Sequence, residues 1–171
     1  MARYDVFYFS YGSNLYPDMI EAIIGRKPKG FKYKLNGYEL CLQNWNEIPK
    51  KARKVLKRFW DKNFKSYILV KSPKKSVKGI IWKISKEEHE LIGQWELHGL
   101  WYTPINLKRK IGNKNVILKT EIFKGKKAAP VKNKKGHPPF PVKKEKILYV
   151  ANITREEYLS EKIKELILKD N

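Results

Sequence analysis

Cysteine occurs once in the 171 residues, at Cys41. That excludes an internal disulfide framework and fits a reducing, cytoplasmic setting. Cys41 lies in the apolar stretch GYELCLQNW (37–45), the context of a buried inert thiol rather than a nucleophile. No apolar run approaches the roughly 18–20 residues that a membrane-crossing helix needs. The opening MARYDVFYF also lacks the basic, apolar, small-residue layout of a secretory leader. No membrane association is expected. Histidine is scarce: His89, His98 and His137 have no cysteine or carboxylate partners at a metal-site spacing. GxSxG, HExxH and P-loop patterns are missing too.

Acid is the other shortage. Against 17 Asp and Glu stand 38 Lys and Arg, a net charge of +21. Such a field attracts nucleic acid, anionic surfaces and small acidic ligands alike, and lysine-rich surfaces also accompany thermal adaptation without any partner. Apolar residues are plentiful: they make up 42% of the chain and include five Trp and ten Tyr, enough to bury one core. The chain therefore reads as a single domain over 1–171.

Residues 4–11, YDVFYFSY, read as an interior strand apolar on both faces. A polar turn, Gly12-Ser13-Asn14, leads into a short helix opened by Pro17 and stopped by Gly25. GYELCLQNW, SYILVK (66–71) and VKGIIWKI (77–84) read as three strands, with SPKKS as a tight connection between the last two. Pro49 opens a basic amphipathic helix with Val55, Leu56, Phe59 and Trp60 on one stripe. Its cations Lys50, Lys51, Arg53, Lys54, Lys57 and Arg58 are either a solvated face or polyanion contacts. SKEEHELIGQWELH (85–98) is the clearest helix, with Ser85 and Glu88 as a capping box. LWYTPINLK and NVILKTEIF read as strands, and 124–146 as a basic Pro- and Lys-rich loop within the domain. KILYVA reads as a last strand. The chain then ends in a helix boxed by Thr154 and Glu157, with Leu159, Ile163, Leu166 and Ile167 on one face. The fold class is α+β: mixed, curled strands with helices around them.

Two features carry candidate chemistry. A strand-to-helix turn exposes consecutive N–H groups, glycine admits close approach, and serine and asparagine add short polar handles. Tyr11-Gly12-Ser13-Asn14-Leu15 is thus either a plain turn or an anion-gripping loop. Glu96 shares the Ile92 face of its helix near the negative end, among Trp95 and Leu97. That setting should raise its pKa and suit a base that later acts as an acid, unless it is simply a surface glutamate. His98, two residues on, points elsewhere if the helix continues.

FSYGSNL, then SVKGIIWKIS, then a helix ending LIGQWELHGLWY, resembles the γ-glutamylcyclotransferase superfamily in order and spacing. Tyr11 to Leu15 match its opening Tyr-Gly-Ser-Asn-Leu loop. Gly79-Ile80-Ile81-Trp82 match its Gly-hydrophobic-hydrophobic-aromatic strand, and Glu96 and Tyr102 match its catalytic acid and following tyrosine. The basic segment 47–65 has no counterpart in that pattern. The resemblance implies a small mixed β-barrel flanked by helices, without a cofactor or metal. It implies cleavage of a γ-glutamyl amine or peptide by cyclisation to 5-oxoproline and a free amine. Tyr11, Gly12, Ser13, Asn14, Leu15 and Tyr102 would bind the small anionic substrate, and Glu96 would act as general acid/base. The alternative use of the same fold is non-catalytic: binding of a small ligand, or weak association with nucleic acid through the basic surface.

Overall fold

The computed structural model describes residues 3–125, 129–131 and 142–170, without the side chains of residues 163, 166, 167, 169 and 170. Six strands form one mixed sheet: β1 (Val6–Ser10), β2 (Lys29–Asn44), β3 (Lys65–Ile84), β4 (Thr103–Ile111), β5 (Lys114–Ile122) and the short β6 (Ala129–Pro130). Their order is β4-β5-β1-β3-β2-β6, antiparallel throughout except where β1 runs parallel to β5. The sheet curls into a half-barrel, with helices α1 (Pro17–Ile24), α2 (Lys50–Leu56), α3 (Lys86–Trp95) and α4 (Lys144–Asp170) around it.

β1 is the central strand that its sequence implies. Tyr8 and Phe9 are both fully buried but face opposite sides, since successive strand side chains alternate. Tyr8 joins Met19, Ile20, Trp82, Ile92 and Val150 in the core under the helices. Phe9 joins Tyr11, Leu35, Leu69, Ile81 and Leu118 inside the curl. Each fully buried side chain of this size contributes about 1.5–3 kcal/mol, which is why a strand of only 5 residues can anchor the sheet.

Four expectations fail for definite reasons. The segments 66–71 and 77–84 are one strand, and SPKKS is an irregularity within it: the register with β2 shifts between Asn36 and Tyr38. Pro73 has no N–H for a ladder, so the strand bulges there while β2 bends in step. KILYVA is not a strand but the start of α4. Ile147, Val150 and Ala151 are buried at helical spacing, while Tyr149 is 63% exposed. Thr154 consequently lies inside α4 and caps nothing; its hydroxyl donates to the Val150 carbonyl at 2.9 Å. α2 stops at Leu56, leaving Val55 exposed, and Trp60 is buried through the turns that follow.

The Ser85–Glu88 capping box is present, with Glu88 N–H donating to Ser85 Oγ at 3.1 Å and Ser85 N–H to Glu88 Oε1 at 2.8 Å. Most of 124–146, and the side chains of Ile163, Leu166 and Ile167, lie outside what the structure describes.

Candidate active site

β1 ends at Ser10, and the chain turns through Tyr11 and Gly12 into one 3-10 turn over Ser13–Leu15. This loop is buried: Tyr11 is 3%, Ser13 7% and Asn14 2% exposed, so its polar atoms must find partners inside the protein. The Trp82 indole N–H reaches both the Asn14 carbonyl at 2.8 Å and Ser10 Oγ at 3.0 Å. Gly79, three residues earlier on β3, leaves room for the end of β1. A Cβ there would stand 2.2 Å from the Ser10 carbonyl oxygen. The Trp82 ring in turn lies over Gly30, its cross-strand partner on β2, where a Cβ would come within 2.3 Å of the ring.

Glu96 reaches the loop from the other side. α3 ends one residue before it, because Leu97 turns into the left-handed region at φ 49. Glu96 is therefore the C-cap and not an interior helical residue, and its side chain meets the loop. Asn14 Nδ2 donates to Glu96 Oε1 at 2.8 Å and to the Tyr8 hydroxyl at 3.2 Å. Burial pushes the Glu96 pKa well above the usual carboxylate range, the Glu121 charge pushes it further, and the Asn14 amide opposes both.

Glu121 is a site residue that sequence reasoning missed. It is 2% exposed at the end of β5, and its Oε1 accepts the Tyr8 hydroxyl. Its backbone carbonyl accepts the Tyr11 hydroxyl at 2.9 Å. A single acid in the mostly apolar stretch NVILKTEIF was the available signal, since a carboxylate at an inward strand position needs a reason. Tyr8 and Ser66 were missed as well. Tyr102 donates to the Tyr67 carbonyl at 2.6 Å and lies 3.2 Å from Ser66 Oγ. Burial raises the pKa of Tyr8, Tyr11 and Tyr102 well above 10, so all three hydroxyls keep their protons.

These groups surround a cavity of about 20 Å³ lined by Tyr11, Gly12, Asn14, Tyr102, Glu96 and Glu121, among others. Ser13, Ser66 and Glu96 also border a groove of about 810 Å³ between α3, α4 and the segment 55–64. Aromatic side chains of Phe59, Trp60, Phe64 and Trp101 line part of it.

No family model matches the chain, and no curated protein matches it. Solved structures do. A γ-glutamyl cyclotransferase aligns with a TM-score of 0.55 at 21% identity, over 73% of this chain and 70% of its own. An uncharacterised protein from Homo sapiens aligns with the same TM-score at 22% identity, over the same shares. The chain has the γ-glutamyl cyclotransferase-like fold.

Within this γ-glutamyl cyclotransferase-like fold, Tyr11, Gly12, Ser13, Asn14, Glu96 and Tyr102 gather at one cavity. Leu15 does not line it, and its N–H is used internally, donating to the Gly12 carbonyl at 3.2 Å. His98 does not point away as a continued helix would have it. Once Leu97 breaks the helix, His98 Nε2 comes to 3.5 Å from Glu121 Oε2. Lys50, Lys51, Lys54, Lys57 and Arg58 are exposed away from the cavity, and Arg58 is taken up by Glu157, with Nη1 at 2.8 Å from Oε2. Arg53 is partly covered. Among the described residues, no three His, Cys, Asp or Glu side chains are placed to hold a metal, and no helix is long and apolar enough to cross a membrane.

Proposed function

We propose that the protein is a γ-glutamyl cyclotransferase-type enzyme, releasing an amine from a γ-glutamyl amine or peptide and forming 5-oxoproline. One observation carries this reading: Asn14 of the loop is hydrogen-bonded to Glu96, so the loop and the acid share one cavity. That contact brings the loop and the acid, the two parts that the sequence pattern pairs, to one place.

The chemistry follows from the geometry. The substrate's α-amine attacks its own γ-carbonyl carbon, so holding the two ends close supplies much of the acceleration. Glu96 in its ionised form accepts a proton from the α-ammonium, and a new C–N bond closes the five-membered ring. The tetrahedral intermediate then expels the amine as the original amide C–N bond breaks: Glu96 returns its proton to the leaving nitrogen, and the second proton of the ring nitrogen passes to the released amine, which departs as an ammonium. A carboxyl whose pKa burial has raised is suited both to accept a proton and to return it. Tyr102 and Asn14 orient the reacting groups, the latter through its bond to Glu96. The groove beside Glu96 receives the amine portion. The 55–64 segment that lines it belongs to the stretch without a counterpart in the family pattern, so substrate choice resides there.

The test is an assay of 5-oxoproline by mass spectrometry over a panel of γ-glutamyl amines and peptides, with Glu96→Gln alongside. Product from the wild type and a loss of at least about a hundredfold in the variant supports the reading. No product from any substrate sinks it.

A second reading, polyanion binding, rests on a different observation. In the β2–β3 pair, Lys29 stands opposite Lys83 and Lys34 opposite Lys78, all exposed. Like charges directly opposite are destabilising, and an anionic partner would offset that cost. Salt-dependent retention on RNA that falls when these four lysines become glutamine supports it; retention unchanged by the substitutions reflects bulk charge and removes it.

A further inference from the structure

Glu121 has a feature that the cyclisation scheme leaves unused. One carboxylate oxygen, Oε1, takes the Tyr8 hydroxyl. The other, Oε2, is buried and has no hydrogen-bond partner; its near neighbour His98 Nε2, at 3.5 Å, has none either. A buried carboxylate oxygen with an unused bonding capacity is costly, and such a group calls for an explanation. The side chain lines the same small cavity as Glu96, Asn14, Ser66 and the Tyr102 hydroxyl.

The size and chemistry of that cavity are specific. About 20 Å³ is room for one water-sized group, and its polar walls suit a cation with several N–H donors. A primary ammonium has that size and that donor set. Ser13, Ser66 and Glu96 line both the cavity and the groove, so a ligand with its ammonium in the cavity has the groove as its neighbour for the rest of its chain.

We propose that Glu121 is the ammonium-recognising residue of this site: its buried carboxylate, held by Tyr8, accepts a hydrogen bond from the α-ammonium of the glutamyl head. Glu121 thus selects ligands that carry the α-amine and places that nitrogen beside Glu96. The inference rests on the cyclotransferase reading for its ligand, but it is separable from the chemistry. The groups around the Glu121 carboxyl are Tyr8 from β1, Tyr11 from the loop, Tyr102, His98 from the turn after α3, and the nearby Glu96. Among these, only His98 can bear positive charge.

The experiment measures binding by calorimetry in Glu96→Gln protein, which holds ligand without turning it over. Two ligands are compared: a γ-glutamyl alkylamide and the matching glutaryl alkylamide, which lacks the α-amine. The Glu96→Gln protein should prefer the first by about tenfold or more, as expected for a charge-assisted hydrogen bond. Adding Glu121→Gln, which keeps the side-chain shape and the acceptor for Tyr8, should abolish the preference. Adding Tyr8→Phe, which leaves the Glu121 charge in place, should retain it in part; this second variant guards against a double mutant that fails to fold. No preference in the first protein, or a preference that survives Glu121→Gln, overturns the inference. Wild-type turnover together with a surviving preference removes this inference alone. A lost preference without any 5-oxoproline from the wild type leaves the ammonium site standing and removes the cyclisation.

Discussion

The indole N–H of Trp82 donates to the backbone carbonyl of Asn14 at 2.8 Å. The last residue of the Gly79-Ile80-Ile81-Trp82 strand thereby holds the middle of the Tyr11–Leu15 loop, and Asn14 in turn holds Glu96. Two sequence patterns 68 positions apart are parts of one support. Gly79 makes room for the carbonyl that ends β1, and Gly30 makes room for the indole that grips the loop.

Trp82→Phe keeps most of the ring but removes the donor to both Asn14 and Ser10. The buried Asn14 carbonyl then loses a partner, at a cost of about 1–3 kcal/mol. The variant should unfold at lower urea concentration with an unchanged m-value, and its turnover should fall because Asn14 no longer fixes Glu96.

Gly79→Ala forces a methyl against the Ser10 carbonyl and the Phe9 ring. Overpacking of this kind costs about 1–3 kcal/mol, and here the strain falls at the root of the loop. Activity should drop more than stability does. A variant as active as the wild type would show that the loop tolerates displacement.

The pH dependence of activity follows from Glu96. Its folded pKa lies well above 4.5, and the base must be ionised, so kcat/KM should rise with pH through that raised value. An inflection at the ordinary carboxylate range would contradict the burial of the group.

The sign for stability is opposite. Between 4.5 and the raised value the folded protein binds the proton and the unfolded chain does not, so Glu96 makes stability fall as pH rises through that window. Glu96→Gln should therefore be more stable than the wild type above the window and converge with it below pH 4.5. Urea titrations of both proteins at several pH values measure this.

His89 predicts the behaviour on the acid side. Burial, with the charges of Lys119 and His98, holds its pKa down at about 4 against the ordinary 6.5. The unfolded chain takes up a proton between those values and the folded protein does not, so this contribution to stability is lost as pH falls from 6.5 toward 4. His89→Gln should flatten that acid slope, which thermal melts across the range would show.

Local chemistry made much of this protein legible without coordinates. The buried β1, the α1 opening at Pro17, the Ser85–Glu88 box and the Tyr11–Leu15 turn all depend on neighbours a few residues away, where side-chain period and capping act. The same local rules misjudged KILYVA, whose β-branched residues suit a strand until α1 offers them a face at helical spacing. They likewise divided β3 at Pro73, because only pairing with the bent β2 keeps the strand whole.

The sequence by itself determined which residue types were available for the site: a loop rich in small polar groups, one acid after a helix, and a glycine and an indole at fixed spacing. Only the tertiary structure decided that Asn14 touches Glu96, that Glu121 and Tyr8 stand behind them, and that His98 turns inward. Those contacts span tens of residues, and they depend on how the sheet curls and where α3 breaks at Leu97. Most of the buried polar atoms of the site are satisfied by one another, and that requirement, rather than any local pattern, shaped its geometry.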